Sequence, residues 1–189
     1  MLAELLAVPG VEERFSTGTR VGFCALHGGL EQGTVEVAAA AAARCGASFY
    51  AVVQPADFRW HVPSHRYDLA HSRALAAFVE HVDVVVSVHG YGGLRNTDAR
   101  WTTALLGGRN RALAGALRRR LDAALPHYTW ITELDRIPKR LRGLHPRNPV
   151  NAVRDGGVQL ELPPRVRRPG ADFDALVTAL ATTDAGPLP

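Results

Sequence analysis

The sequence VDVVVSVHGYGG, residues 82–93, contains the strongest strand signal in the chain. Its first part is a nearly continuous valine run, typical of a strand that lies in a parallel sheet and is covered by helices on both faces. The run ends abruptly at His89, and glycines follow. We therefore predict a buried strand over 82–88 and ask why it ends on a histidine.

Apolar segments and helical patterns alternate outward from this strand in both directions. The other predicted strands are 20–26, 48–54, 102–106, 128–132 and 157–162. The predicted helices are 34–45, with Thr34 as the N-cap, roughly 69–80, 109–125 and 171–182. This alternation predicts an α/β fold with a mostly parallel or mixed sheet flanked by helices.

The chain is long enough for one domain with a substantial core, since 47% of its 189 residues are hydrophobic. We predict an N-terminal arm or short helix over 1–19, a single domain over 20–183 and a tail over 184–189. Nothing in the sequence resembles a membrane span or a signal peptide, so we expect a cytoplasmic protein. Cys24 and Cys45 are expected to be small buried hydrophobes and not a disulfide or redox pair.

The charge balance is basic, with a formal net charge of +4, and Lys139 is the only lysine. Arginine clusters at 118–120 and 165–168 could bind nucleic acid. The first cluster lies on a helix whose solvent face needs charge anyway, and no aromatic residues interleave with it. We therefore disfavour a nucleic-acid partner, and a basic surface equally suits another polyanion.

Two strands end in the same way, at His27-Gly28-Gly29 and at His89-Gly90. In open α/β sheets, ligands bind beyond the carboxyl ends of the strands, so the two histidines are expected to meet there. Two imidazoles and a carboxylate, with a position left open, form the usual first shell of a catalytic zinc ion. Glu31 is the nearest carboxylate, and Glu36 is the alternative.

Glu161 lies within an apolar strand, between Leu160 and Leu162. Because a buried carboxylate is costly unless it is paired or binds a metal, Glu161 is a candidate general base for the same site. The alternative is an edge strand with Glu161 facing solvent. His61 and His65 are further candidates for contacts near the site, and Arg109, at the start of a helix, is a candidate anion-binding residue.

Six motifs occur in an order that resembles the poly-γ-glutamate hydrolase family of phages and bacteria. They are ALHGGLEQGTVEVA, HVPSH, VVSVHGY, LLGGRNRAL, HPRNPVN and GVQLELPPRVR, and they span roughly residues 20 to 168. Some members of that family have been labelled phage-related replication proteins. The resemblance implies a fold similar to that of zinc carboxypeptidases and zinc-dependent hydrolysis of γ-glutamyl amide bonds.

Carried onto this sequence, the resemblance implies Zn²⁺ as cofactor, with His27, Glu31 and His89 as its ligands. Glu161 would be the general base. The residues that would hold substrate are Arg109, Arg165, His61, Tyr91 and Asn148.

The expected partner is a polyanionic γ-glutamyl substrate, and we favour a monomer. Two alternatives remain open at this point. One is a zinc amidohydrolase that acts on a γ-linked cell-wall peptide or on an N-acyl amino acid. The other is a basic, non-enzymatic accessory protein that binds nucleic acid.

Overall fold

A seven-stranded mixed sheet runs through the middle of the molecule in this computed structural model, which describes residues 1–92 and 101–182. The strands are β1 (Glu12–Ser16), β2 (Thr19–Gly28), β3 (Ala47–Val53), β4 (Val84–Gly90), β5 (Thr103–Leu106), β6 (Thr129–Ile131) and β7 (Gly157–Leu162). Their order across the sheet is β1-β3-β2-β4-β7-β5-β6. The four strands β3, β2, β4 and β7 are parallel, so their carboxyl ends meet at one edge.

Helices cover both faces of the sheet. They are α1 (Leu2–Leu6), α2 (Thr34–Cys45), α3 (Arg73–His81), α4 (Arg111–Ala124) and α5 (Ala171–Ala181). Apolar residues of α2, α4 and α5 lie on one face in a single hydrophobic cluster that includes Phe23 and Ala25 of β2. Those of α1 and α3 pack on the other face against Cys24 and Leu26. This alternation along β2 is why the strand reads as continuously apolar, and the predicted fold class is confirmed.

The helix starts follow side-chain caps at two places. Asn110 accepts a hydrogen bond from the backbone of Leu113 at the start of α4, and Ser72 accepts one from Leu75 at the start of α3. The N-cap predicted for α2 is wrong. Gly33, with φ of 84°, occupies that position, because Thr34 turns its hydroxyl back to donate to the carbonyl of Glu31.

The predicted arm over 1–19 contains the helix α1 and also the strand β1, which the sequence analysis did not predict. β1 pairs antiparallel with β3 at the edge of the sheet. Its residues alternate between exposed and half-buried, so its charged sequence EERFS carries little hydrophobic signal. The tail predicted at 184–189 lies outside the described residues.

β5 runs against its neighbour β7, with Leu105 opposite Glu161 and Leu106 opposite Leu160. The loop that follows β5 therefore lies beside the amino end of β7, where the N–H of Asn110 donates to the carbonyl of Gly157. The loop after β5 therefore lies at the end of the sheet opposite to the carboxyl ends of β2, β4 and β7. Within 1–92 and 101–182, the helices are too short or too polar to cross a membrane.

Candidate active site

Three side chains converge at the carboxyl ends of β2 and β4. The Nδ1 atom of His27 lies 2.9 Å from Oε1 of Glu31, and the Nδ1 atom of His89 lies 3.5 Å from Oε2. The two Nδ1 atoms are 3.3 Å apart. Ligand atoms of all three residues lie within 4.8 Å of one another, so they form a compact potential metal site.

An irregularity in β2 helps to aim His27. Ala25 pairs with Ala51 on β3, but Gly28 pairs with Val53, so the stretch of β2 is one residue longer than the matching stretch of β3. An extra residue in one strand bends it and redirects its side chains, and such features are common beside active sites. The N–H of Glu31 then donates to the carbonyl of His27, closing the turn that brings the carboxylate back.

The glycines after each histidine are packed against protein atoms. A Cβ on Gly29, whose φ is 77°, would stand 2.0 Å from the carbonyl oxygen of Gln54. A Cβ on Gly90 would stand 2.6 Å from Cζ of Arg167. Both positions favour glycine because another part of the chain approaches the backbone closely.

Outer hydrogen bonds orient both imidazoles. The Nε2 atom of His27 lies 2.9 Å from the carbonyl oxygen of Val62, and Nε2 of His89 lies 2.9 Å from Oγ of Ser87. A carbonyl can only accept, so Nε2 of His27 donates to it, and Nδ1 is the ring nitrogen that faces Glu31 and is left for a metal. A partner that fixes the tautomer in this way is typical of histidines that bind metals.

The electrostatics of the cluster favour a cation at its centre. Burial alone would raise the pKa of Glu31, but hydrogen bonds to His27 and His89 outweigh it and hold the pKa well below the usual range. Burial would lower the pKa of His89, and the contact with Glu31 reverses this and raises it. Two imidazole nitrogens and a carboxylate facing one point fit a zinc ion with a further coordination position left open.

The carboxylate in this cluster is Glu31 and not Glu36, so the geometry favours Glu31 of the two candidate ligands that the sequence left open. Glu36 is exposed in the first turn of α2. Glu31 lies in the turn before that helix, and its Oε2 also accepts a hydrogen bond of 2.9 Å from the backbone N–H of Gly90.

Glu161 stands next to the cluster on β7. It is the register partner of His89 and is only 3% exposed. Because β7 lies between β4 and β5, the alternative of a solvent-facing edge strand is wrong. Burial is the main cause that raises the pKa of Glu161, which is the direction a general base working near neutral pH requires.

A buried chain of two amide hydrogen bonds orients the carboxylate of Glu161. The amide of Gln159 donates to Oε1 of Glu161 at 2.8 Å, and the amide of Asn148 donates to Oε1 of Gln159 at 2.8 Å. Asn148 also accepts from the backbone of Val150, so its orientation is fixed at both ends. The predicted contact of Asn148 with substrate stays a prediction, since the amide of Asn148 donates its hydrogen bond to Gln159.

Two cavities open on either side of Glu31 and Gly90. The first cavity, of about 580 Å³, is lined by His27, His89 and Glu161 and also by His61, His65, Lys139, Arg140, His145 and Asn148. The second cavity, of about 560 Å³, is lined by Glu36, Arg59, Tyr91, Arg167 and Arg168. Basic side chains therefore line the walls on both sides of the candidate metal site.

Two of the predicted substrate residues lie at these cavities. The ring of His61 stands with its centroid 4.6 Å from that of His27, and burial lowers its pKa. Tyr91 lines the second cavity, and its hydroxyl donates to the carbonyl of Thr103. Their roles toward substrate stay predictions, although the structure brings both to the expected place.

The structure does not bring Arg109 and Arg165 to the site. Arg109 is exposed at the opposite edge of the sheet, where its N–H donates to Oδ1 of Asn151, because β5 runs antiparallel to β7. Arg165 is exposed and its Nε lies 3.4 Å from Oδ2 of Asp172 on α5, away from both cavities. Neither position supports the role that the sequence predicted.

Two residues at the site were missed by the sequence analysis. Arg167, two positions after Arg165, is the arginine that turns inward. His145 stacks on His65 at the first cavity, with ring centroids 4.4 Å apart. His145 lies in an irregular Pro- and Arg-rich segment without periodicity, and nothing in the run RVRR distinguishes its buried arginine from the exposed ones.

Several solved structures share this fold. The fold matches the structure of bacteriophage poly-gamma-glutamate hydrolase with a TM-score of 0.78 at 21% identity, over 95% of this chain and 91% of that chain. It matches zinc-free, apo YNDL with a TM-score of 0.74 at 21% identity, over 90% and 87% of the two chains. A gene product of Agrobacterium tumefaciens, Atu2144, matches with a TM-score of 0.51 at 14% identity, over 91% and 92%.

At these identities the structural matches concern the fold. Comparison with curated protein sequences gave no significant match. The family model for poly-gamma-glutamate hydrolase, by contrast, matches residues 7–177, which is most of the chain. The resemblance found in the sequence motifs is thereby confirmed, and the protein belongs to the poly-gamma-glutamate hydrolase family, a family of hydrolytic enzymes.

Proposed function

We propose that this protein is a zinc-dependent hydrolase that cleaves γ-glutamyl amide bonds in poly-γ-glutamate. The observation that carries the proposal is the convergence of His27, Glu31 and His89 beside the buried carboxylate of Glu161. A metal site with a carboxylate at its side is the arrangement that metal-assisted amide hydrolysis needs.

The donor set supports zinc as the metal. Two neutral imidazoles and one carboxylate are common ligands of catalytic zinc. YNDL, which shares the fold, is distinguished as zinc-free in its apo form, which is consistent with this choice. When bound, zinc supplies a Lewis acid that polarises the scissile carbonyl and lowers the pKa of water toward about 7.

Glu161 supplies the proton transfers. Gln159 donates to Oε1, so we assign the proton to the other oxygen, Oε2. Glu161 takes a proton from the attacking water and delivers it to the leaving amine, which would otherwise depart as an unstable anion. Its raised pKa, caused by burial, brings its proton affinity closer to what both transfers require.

The cavity walls support a polyanionic substrate. Poly-γ-glutamate carries a free α-carboxylate on every residue, and the walls of both cavities carry arginine, lysine and histidine side chains. Positive walls raise the local concentration of such a chain and speed its capture. Arginine suits this task because its planar fork matches a carboxylate.

The proposal is tested by incubating the zinc-loaded protein with poly-γ-glutamate and following chain length by size-exclusion chromatography. We expect the chain to shorten, a chelator to stop the reaction, and zinc to restore it. His27→Ala and His89→Ala should each lower zinc content and reduce cleavage by at least about 10³-fold. His71→Ala, which removes an exposed histidine far from the cluster, is the matched control.

The outcomes separate the alternatives. Bound zinc with unchanged chain length would shift the substrate to a γ-linked cell-wall peptide or an N-acyl amino acid. Absence of zinc, together with unchanged activity in both histidine variants, would contradict the metallohydrolase proposal altogether.

A further inference from the structure

Arg167 occupies an unusual position for an arginine, since it is only 8% exposed. Its guanidinium lies directly over the backbone of Gly90, as the 2.6 Å between its Cζ and a Cβ placed there shows. Gly90 follows the ligand His89, and its N–H donates to the ligand Glu31. The guanidinium is therefore held beside the metal site, at the wall of the second cavity.

The guanidinium is anchored by two neutral acceptors. Its Nε donates to the carbonyl of Leu162 at 3.1 Å, and its Nη1 donates to the carbonyl of Gln32. Arginine has five N–H groups in a rigid fork, so these two bonds fix its orientation without using all of its donors. The remaining donors are available to a ligand in the second cavity.

A counter-ion is missing among the described residues, since none of the ion pairs there includes Arg167. Burial lowers the pKa of Arg167, and Glu31 and Glu161 favour its charge only from a greater distance. A buried charge without a direct partner is costly, so a ligand of opposite charge that reached Arg167 would relieve that cost. The expected partner is an anion, and a carboxylate matches the fork in shape.

We propose that Arg167 is a specificity-determining residue that binds an α-carboxylate of the γ-linked chain next to the scissile amide. This inference rests on the proposed function and names the group that the second cavity recognises. Arg167 takes the role that the sequence analysis gave to Arg165 and Arg109. Because the guanidinium is fixed before substrate arrives, it binds the carboxylate with little loss of side-chain entropy.

The test compares two γ-linked glutamate tetramers, one with free α-carboxylates and one with the α-carboxylates converted to amides. For Arg167→Gln, we expect kcat/KM on the free acid to fall by about 10- to 100-fold, the range of a charge-assisted hydrogen-bonded pair. On the amide tetramer the change should stay below about threefold. Arg165→Gln removes the same charge two residues away, outside both cavities, and should leave both values unchanged.

A binding measurement makes the test independent of turnover. In a Glu161→Gln background, calorimetric titration with the free-acid tetramer should show Kd raised by about 10- to 100-fold when Arg167→Gln is added, and unchanged when Arg165→Gln is added. Gly90→Ala is a second variant, because its methyl group would displace the guanidinium without removing it. Zinc content and thermal stability of each variant show whether the site and fold are intact.

Each result has a defined meaning. Equal losses of kcat/KM on both tetramers would indicate that Arg167 stabilises the charge that develops on the scissile carbonyl. No loss of kcat/KM on either tetramer would mean that Arg167 has no role toward substrate. Both results would overturn the inference. Failure of the wild-type protein to cleave or bind either tetramer would instead overturn the proposed function.

Discussion

Two regions of the molecule look alike in sequence and differ in what they do. Gly28-Gly29 stands at the end of β2, Gly107-Gly108 follows directly after β5, and each pair leads into a turn and a helix. The first turn carries Glu31, the carboxylate of the candidate metal site. The second lies at the opposite edge of the sheet, because β5 runs against β7. Strand direction, and not the local motif, decides which turn reaches the site.

The glycines themselves have the same structural role in both turns. A Cβ on Gly29 would meet the carbonyl of Gln54 at 2.0 Å, and a Cβ on Gly108 would meet the carbonyl of Gly157 at 2.2 Å. Both glycines have positive φ, at 77° and 84°. Paired glycines after a strand therefore indicate a close approach of backbone to backbone, while the chemistry comes from the side chains that flank them.

Of the substitutions that compare the two ends of the sheet, Glu161→Gln is expected to reduce activity most, because it lies at the end that carries the candidate active site. The amide keeps the shape of the side chain but cannot accept the proton of water, so kcat should fall by about 10²–10⁴-fold. Zinc content should stay unchanged, because Glu161 lies outside the cluster of His27, Glu31 and His89. Steady-state kinetics with poly-γ-glutamate and metal analysis check both parts, and retained activity would remove Glu161 from the mechanism.

Substitution of the glycines is expected to have an intermediate effect, and it distinguishes the turn at the candidate active site from the turn after β5. Gly29→Ala and Gly108→Ala should each lower the free energy of unfolding by about 1–3 kcal/mol. Each substitution places a methyl group on a strained backbone and against a carbonyl oxygen. Zinc affinity should fall only for Gly29→Ala, whose turn carries Glu31. Urea unfolding and zinc titration measure the two quantities, and equal zinc loss in both variants would contradict the account.

The smallest effect is expected for Arg109→Gln, in the second turn. Arg109 is exposed and bonds through its backbone, so kcat and KM on poly-γ-glutamate should change by less than about twofold. A tenfold rise in KM would mean that the substrate reaches the opposite edge of the sheet. That result would restore the role that the sequence predicted for Arg109 and break the contrast between the two turns.

Much of the fold and the clustering of His27, Glu31 and His89 could be predicted from the sequence. The valine run of β4 and the apolar runs of β2 and β7 indicate buried strands, and their carboxyl ends identify His27, His89 and Glu161 as neighbours. The prediction succeeds because these strands are parallel, so that each one ends at the same edge of the sheet.

The two errors over arginines depend on long-range geometry. The direction of β5 follows from its pairing with β7, and no residue near Arg109 reports that direction. The inward turn of Arg167, in place of Arg165, follows from the space left over Gly90, which is 77 positions earlier in the chain. β1 was missed because an edge strand with alternating polar residues buries too little apolar surface to leave a clear pattern.

The central claim is that His27, Glu31 and His89 hold one catalytic zinc ion. The measurement that tests it most directly is zinc stoichiometry of the purified protein, with Glu31→Ala and Glu36→Ala as a matched pair. We predict about one zinc per chain in the wild-type protein and in Glu36→Ala, and loss of zinc in Glu31→Ala. Full zinc content in Glu31→Ala, or its loss in Glu36→Ala, would contradict the account.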